Sequence, residues 1–303
     1  FAFDGKGNLR QHEGGYTEYA ARIAAETSEE EVKASVKKGV DTRVKEKKLK
    51  FTYKEQKEYE VIEDEIMELD PEIAIIPVGS LEQHGPHLPV MTDWAIASAL
   101  GQRVAEKMGA FLVPAIPVST CREQMGKKGS VWMEPVTFYQ MMTDIVMSLK
   151  LQGFKKVGIL QCHGGIFINT PLVRDLNARH NPDLMVALID GCAFFNTLYR
   201  DGVIETNTEL HSGEVETSQM LYLAPETVHM DRAVDFIPDI PRPYLNYGSF
   251  FRACPDGVWG EPSYGTAEKG EAIFAHCTAS AVEQIKNIFA YMEKKEKFNY
   301  SYF

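Results

Sequence analysis

Three short stretches of the chain combine imidazole with carboxylate. The first is Gly79-Ser80-Leu81-Glu82-Gln83-His84-Gly85-Pro86-His87-Leu88-Pro89, with Thr92-Asp93 just beyond it. The second is Gln161-Cys162-His163-Gly164-Gly165, and the third is His211-Ser212-Gly213-Glu214-Val215-Glu216-Thr217-Ser218. Neutral imidazole nitrogen and carboxylate oxygen together suit Zn²⁺, Mn²⁺ or Fe²⁺. Glu82 and His84 are two apart, so in extended chain both point to one side. Asp93 follows on a segment whose Gly and Pro residues permit a fold back, and its two oxygens could bridge two ions. Two ions about 3.5–4 Å apart can hold an activated water and clamp a developing oxyanion. Each stretch also has a plainer reading. A lone Glu-x-His pair is a weak metal signal, His163 before two glycines fits a turn, and His211 with Glu214 and Glu216 fits the first turn of a helix.

The elements that must carry these residues read as α/β. Strands are expected at 73–78, 111–118 (broken by prolines), 156–160 and 184–189, and helices at 95–108, 135–152, 170–180 and 267–294. Such alternation predicts a mostly parallel sheet covered on both faces. The first two clusters would then lie just past the C-terminal ends of strands, where functional residues gather in open α/β sheets.

Composition narrows the classes. Of 303 residues, 44% are hydrophobic and 25% charged, as in a globular protein. The net charge of −11 argues against a nucleic-acid partner. No apolar run approaches the roughly 18–20 residues of a membrane span, and the N-terminus lacks the apolar core of a signal peptide. Five cysteines without a CxxC pair suit a reducing, cytoplasmic setting. The charge is uneven: 30 of the first 70 positions are charged, against 45 of the remaining 233. The expected organisation is a charged N-terminal extension over 1–70, helical or mobile, and a catalytic domain over 71–303. Within the extension, Tyr59, Ile62, Ile66 and Leu69 are spaced as one helical face.

Two resemblances follow. Over about residues 71–295 the chain resembles the creatininase (creatinine amidohydrolase) family, through the three clusters above together with Gly257-Val258-Trp259-Gly260 and Thr266-Ala267-Glu268-Lys269-Gly270. Residues 1–65, with Asp4-Gly5-Lys6-Gly7-Asn8, Glu13-Gly14-Gly15-Tyr16 and Lys48-Leu49-Lys50-Phe51-Thr52-Tyr53, resemble the stretch after the last cassette of an ABC-F-type ATP-binding cassette protein. No Walker A glycine loop is present, so ATP hydrolysis is not expected.

The creatininase resemblance implies a three-layer α/β/α sandwich, a two-metal site, a small-molecule substrate and a homo-oligomer, often a hexamer. It places Glu82 and His163 on one ion, His84 and Glu216 on the other, and Asp93 between them. His211 matches the catalytic acid/base histidine. Creatininase itself carries a further Glu ligand two residues after the second-cluster histidine, and many relatives instead read Asn-Gly-His-Gly-Gly-Asn; here that position is Gly165, with Cys162 and Ile166 as the flanks. The first ion is therefore expected to be the weaker, with water or Asn169 where a carboxylate would be.

The implied reaction is hydrolysis of a C–N bond in a small, cyclic or linear, amide. Hydroxide held between the ions would attack the carbonyl carbon, the backbone N–H groups of Gly164 and Gly165 would face the oxyanion, and His211 would protonate the departing nitrogen. The resemblance equally admits formamide deformylation, peptide trimming, or opening of an inositol-derived cyclic ketone. A reading from another class is a metal-binding scaffold without catalysis. Glu214 is open between a carboxylate supporting the ligands and solvated surface. His87 suits packing beneath Pro86 and Pro89, Trp132, Trp259 and Tyr264 could wall a pocket, and Cys162 reads as a small buried apolar residue rather than a nucleophile.

Overall fold

A computed structural model describes residues 2–3, 9–10 and 72–294. The chain divides into a unit Phe1–Glu63 and a unit Asp64–Phe303. In the first, strands β1 (Ala2–Phe3) and β2 (Leu9–Arg10) pair antiparallel. The helical face expected over 53–69 lies outside the described residues.

The second unit is built on β3 (Ile73–Val78), β4 (Phe111–Leu112), β5 (Lys156–Gln161) and β6 (Met185–Asp190). They form one sheet, ordered β4-β3-β5-β6, in which every pairing is parallel. The helices are α1 (Thr92–Met108), α2 (Pro135–Leu151), α3 (Asn169–His180), α4 (Phe195–Arg200), α5 (Glu214–Leu223), α6 (Phe250–Ala253) and α7 (Ala267–Glu293). Because side chains alternate across a strand, each strand serves two cores. Ala74, Ile76, Val157 and Ile159 face Phe138, Met142 and Val146 of α2 and Leu172 of α3. Ile75 and Leu160 face the other way, onto Leu100 of α1 and Ile273, Phe274 and Ile285 of α7. The α/β/α sandwich is the expected one.

The expected strand over 111–118 is reduced to two residues. Pro114 and Pro117 have no N–H to give a ladder; between them only an isolated parallel bridge joins Val78 to Ile116. Among the described residues no helix is long and apolar enough to cross a membrane. All five cysteines are unpaired.

Gly79 shows how the fold serves the site. A Cβ there would lie 2.6 Å from the Asp93 carbonyl and the Trp94 backbone. Its absence lets the first turn of α1 sit against the end of β3, which brings Asp93 beside the Glu82–His84 segment.

Candidate active site

Beyond β3 the chain turns through Ser80 to Glu82 and His84, both fully buried. Beyond β5 it delivers His163, also buried. Asp93 comes from the first turn of α1 and Glu216 from the first turn of α5. His211 lies on a short bridge in which it exchanges backbone hydrogen bonds with Trp259, at 3.0 and 2.9 Å. The three sequence clusters thus converge at one end of the sheet.

Asp93 stands between two histidines. Its Oδ1 is 3.0 Å from His84 Nε2 and its Oδ2 is 3.1 Å from His163 Nδ1. Glu216 Oε2 lies 3.6 Å from His84 Nε2, and Glu82 Oε2 lies 3.2 Å from His163 Nε2. These distances set His84 beside Glu216, His163 beside Glu82 and Asp93 at the junction. Three sets of atoms, His84–Asp93–Glu216, Glu82–Glu123–His163 and Glu82–His84–His211, are each close enough to share one ion.

Backbone geometry holds these side chains. Ser212 adopts φ 56°, in the left-handed region that few non-glycine residues occupy. Its N–H donates to Glu216 Oε2 at 2.6 Å. The start of α5 is capped by Glu209, which accepts from Val215 N–H at 2.6 Å. Burial, reinforced by Glu216, pushes the Glu209 carboxyl up to about 8. Glu214 resolves neither as solvated surface nor as a group at the cluster. It is buried, accepts from the backbone of Glu205 and Thr206, and pairs with Lys269 at 2.6 Å, tying α5 to α7. His87 is buried against Thr217 Oγ1 at 3.0 Å. Trp259 belongs to a small apolar cluster with Phe250 and Cys254, whereas Trp132 lies beneath the Arg122 guanidinium. Burial pushes the Cys162 thiol well up, which leaves no thiolate nucleophile.

The cluster is short of positive charge. Burial opposes the charge of His84, yet Asp93 and Glu216 push it up to about 10. Burial likewise opposes charge on His163, and Glu82 and Asp93 overcome it. Burial pushes Glu82 up to about 8, against the pull of His163. Burial would raise Asp93 too, but His84 and His163 hold it below the usual carboxylate range. Three buried atoms, Glu82 Oε1, Asp93 Oδ2 and His163 Nε2, have no hydrogen-bond partner. Buried polar atoms of this kind are seldom left alone. Orphaned carboxylate and imidazole atoms converging on one place fit divalent transition ions.

His211 differs. Burial, with His84 beside it, holds it well below the ordinary imidazole range. Its Nε2 donates to the Gln83 carbonyl at 2.8 Å, which leaves Nδ1 as the unprotonated nitrogen, 3.7 Å from Glu82 Oε1. The Phe250 ring meets it edge-on, with centroids 5.0 Å apart.

A cavity of about 730 Å³ opens over this cluster. It is lined by the buried Glu82, His163, His211 and Glu216, by Gly164 and Gly165, and by the exposed Phe167, Arg122 and Arg242. One lining carboxylate, Glu123, was missed by sequence reasoning. It sits on a tight turn, Arg122–Gln124, and its Oε1 is 3.1 Å from His163 Nε2. Asn169, the expected substitute, instead donates to Gln161 at 2.9 Å. The one available signal was indirect: Gly165 stands where a carboxylate was expected, so another would have to come from elsewhere.

Comparison with known proteins identifies the family. Residues 59–285 match the family model described as creatininase, creatinine amidohydrolase. The chain is 27% identical over 234 residues to the creatinine amidohydrolase of Pseudomonas putida, covering 72% of this chain and 90% of that one. It is 28% identical over 249 residues to the 3-dehydro-scyllo-inosose hydrolase of Thermotoga maritima, covering 74% and 76%. A solved mutant creatininase of Zn-Zn type superposes with a TM-score of 0.62 at 26% identity, covering 76% of this chain and 95% of that one. A match over most of the chain, with the sheet and the three converging clusters, makes this protein an enzyme of the creatininase family.

Proposed function

We propose that this enzyme hydrolyses a C–N bond of a small amide at the cavity floor, with two divalent transition ions (Zn, Mn or Fe) held by Glu82, His84, Asp93, His163 and Glu216. The observation that carries this reading is the convergence of these five side chains, with orphaned buried atoms, beneath an open cavity. Glu82 and His163 would hold one ion, His84 and Glu216 the other, and Asp93 would contact both. Bound there, the ions supply Lewis acidity toward a carbonyl oxygen and bring the pKa of water toward neutrality.

The chain's own groups do the rest. His211 is uncharged, with Nδ1 turned to the cluster, so it can take up a proton during attack and return it to the departing nitrogen. The Gln83 carbonyl fixes its tautomer and the Phe250 edge fixes its tilt. Gly164 and Gly165 offer N–H groups that meet no acceptor among the described residues and are free to face an oxyanion. Exclusion of side chains at these two positions also keeps the approach to His163 open.

A second reading is opening of a cyclic ketone, favoured by the similarity to the Thermotoga maritima hydrolase. Both readings need attack on a carbonyl; they differ in the bond broken and in the leaving group that His211 would protonate. A panel of small cyclic amides, N-formyl compounds and cyclic ketones, scored by kcat/KM on protein reconstituted with Zn²⁺ or Mn²⁺, separates them. Turnover of an amide or formamide is expected; turnover confined to ketones would replace the first reading by the second.

A further inference from the structure

The Glu82–His163 side of the cluster carries a third carboxylate from a loop distant in sequence. Glu82 Oε2 and Glu123 Oε1 both approach His163 Nε2, at 3.2 and 3.1 Å. One ligand atom from each residue lies within 4.8 Å of the other two. Glu82 and His163 are more than nine-tenths buried, and Glu82 Oε1 and His163 Nε2 lack hydrogen-bond partners. Two carboxylates converging on one buried imidazole nitrogen, with Glu82 Oε1 left without a partner, form a donor set that suits a divalent cation once the imidazole is neutral. Among the described residues Glu123 has no Lys or Arg partner, and the neighbouring Arg122 is turned away to Glu134 at 2.9 Å.

The backbone around Glu123 is arranged for this approach. A Cβ built on Gly165 would overlap the Glu123 carboxylate. Thr120 Oγ1 donates to the Gly165 carbonyl at 3.1 Å, tethering the start of the loop to the glycine that makes room for it. The turn is closed by hydrogen bonds from Gln124 N–H to Cys121 and from Met125 N–H to Arg122, each 3.1 Å. Glu123 is therefore presented from a fixed turn rather than swept in from solvent.

We propose that Glu123 is a metal ligand: with Glu82 and His163 it completes the coordination of one of the two ions, and Gly165 is the space that admits it. The inference rests on the two-ion reading above. It replaces the expected water or Asn169 with a carboxylate, so this ion is not the weak one that the glycine suggested.

The test is metal binding by full-length protein stripped with chelator and dialysed against Zn²⁺ or Mn²⁺ at graded free concentration, with content read by mass spectrometry. Wild type is expected to take up two ions. Glu123→Gln keeps one at unchanged affinity and weakens the other at least about tenfold, since even groups one step removed from a metal cost 10–100-fold. Gly165→Ala, whose Cβ would press on both the Glu123 carboxylate and His163 Nε2, weakens the same ion. Unchanged thermal midpoints of the metal-free variants would show that folding is intact. If Glu123→Gln binds both ions as tightly as wild type, even with turnover lost, Glu123 is not a ligand, while the two-ion reading stands. If wild type takes up no ion, both fall.

Discussion

His84 and His163, proposed as ligands, carry charge inside a buried site. Each is held protonated by carboxylates although burial opposes the charge. Ions bind the deprotonated ligands, so metal uptake must expel these protons, with that of Glu82. Apparent affinity should therefore rise as pH rises from 6 to 8. Calorimetric titration with Zn²⁺ in buffers of different ionisation heat should show more than one proton released per chain at pH 7. His211 should behave in the opposite way, because it is neutral and is not assigned to an ion. His211→Ala is expected to retain both ions and to lose about 10²–10⁴-fold in kcat. Metal content and single-turnover rates on one sample would check this, and an unchanged kcat would remove His211 from the reaction.

At the scale of elements, the parts that were legible in the sequence are those with a simple period. The runs at 73–78 and 156–160, the helix at 135–152 and the closing helix were found to within a residue or two, because each buries one clear face or lies fully inside the sheet. Helix α5 was legible only as a possible first turn. Residues Glu214 to Met220 are all buried, so no polar face alternates with an apolar one, and its carboxylates are satisfied by tertiary contacts that spacing does not reveal. Glu123 was illegible for a similar reason: its partner His163 is far away in sequence and the turn that aims it has no period. The loop from His84 to α1 also leaves a mark on stability. Burial, with the charge of His84, holds His87 down at about 4. The unfolded chain takes a proton near 6.5, so the stability that neutral His87 provides is complete above that pH and is lost as pH falls from 6.5 through 4. By pH 5 the loss is about 2 kcal/mol. His87→Gln should flatten that part of the acid limb in chemical unfolding, and an identical limb would contradict the burial argument.

At the scale of the whole molecule, the charged first 70 residues supply 30 of the 75 charged positions and none of the residues assigned to chemistry. We propose that they are an appendage to the hydrolase. Deleting residues 1–63, the first unit, should leave kcat/KM within about twofold, and a large loss would join the two units in function. In the proposed mechanism the chemistry of the second unit rests instead on segments gathered at one end of a parallel sheet, each supplying imidazole, carboxylate or both. The most direct test of that account is transition-metal content against turnover during chelator stripping and Zn²⁺ or Mn²⁺ restoration. The account predicts about two equivalents per chain at full activity, with activity falling and returning in step with the metal. Full activity in metal-free protein would contradict it.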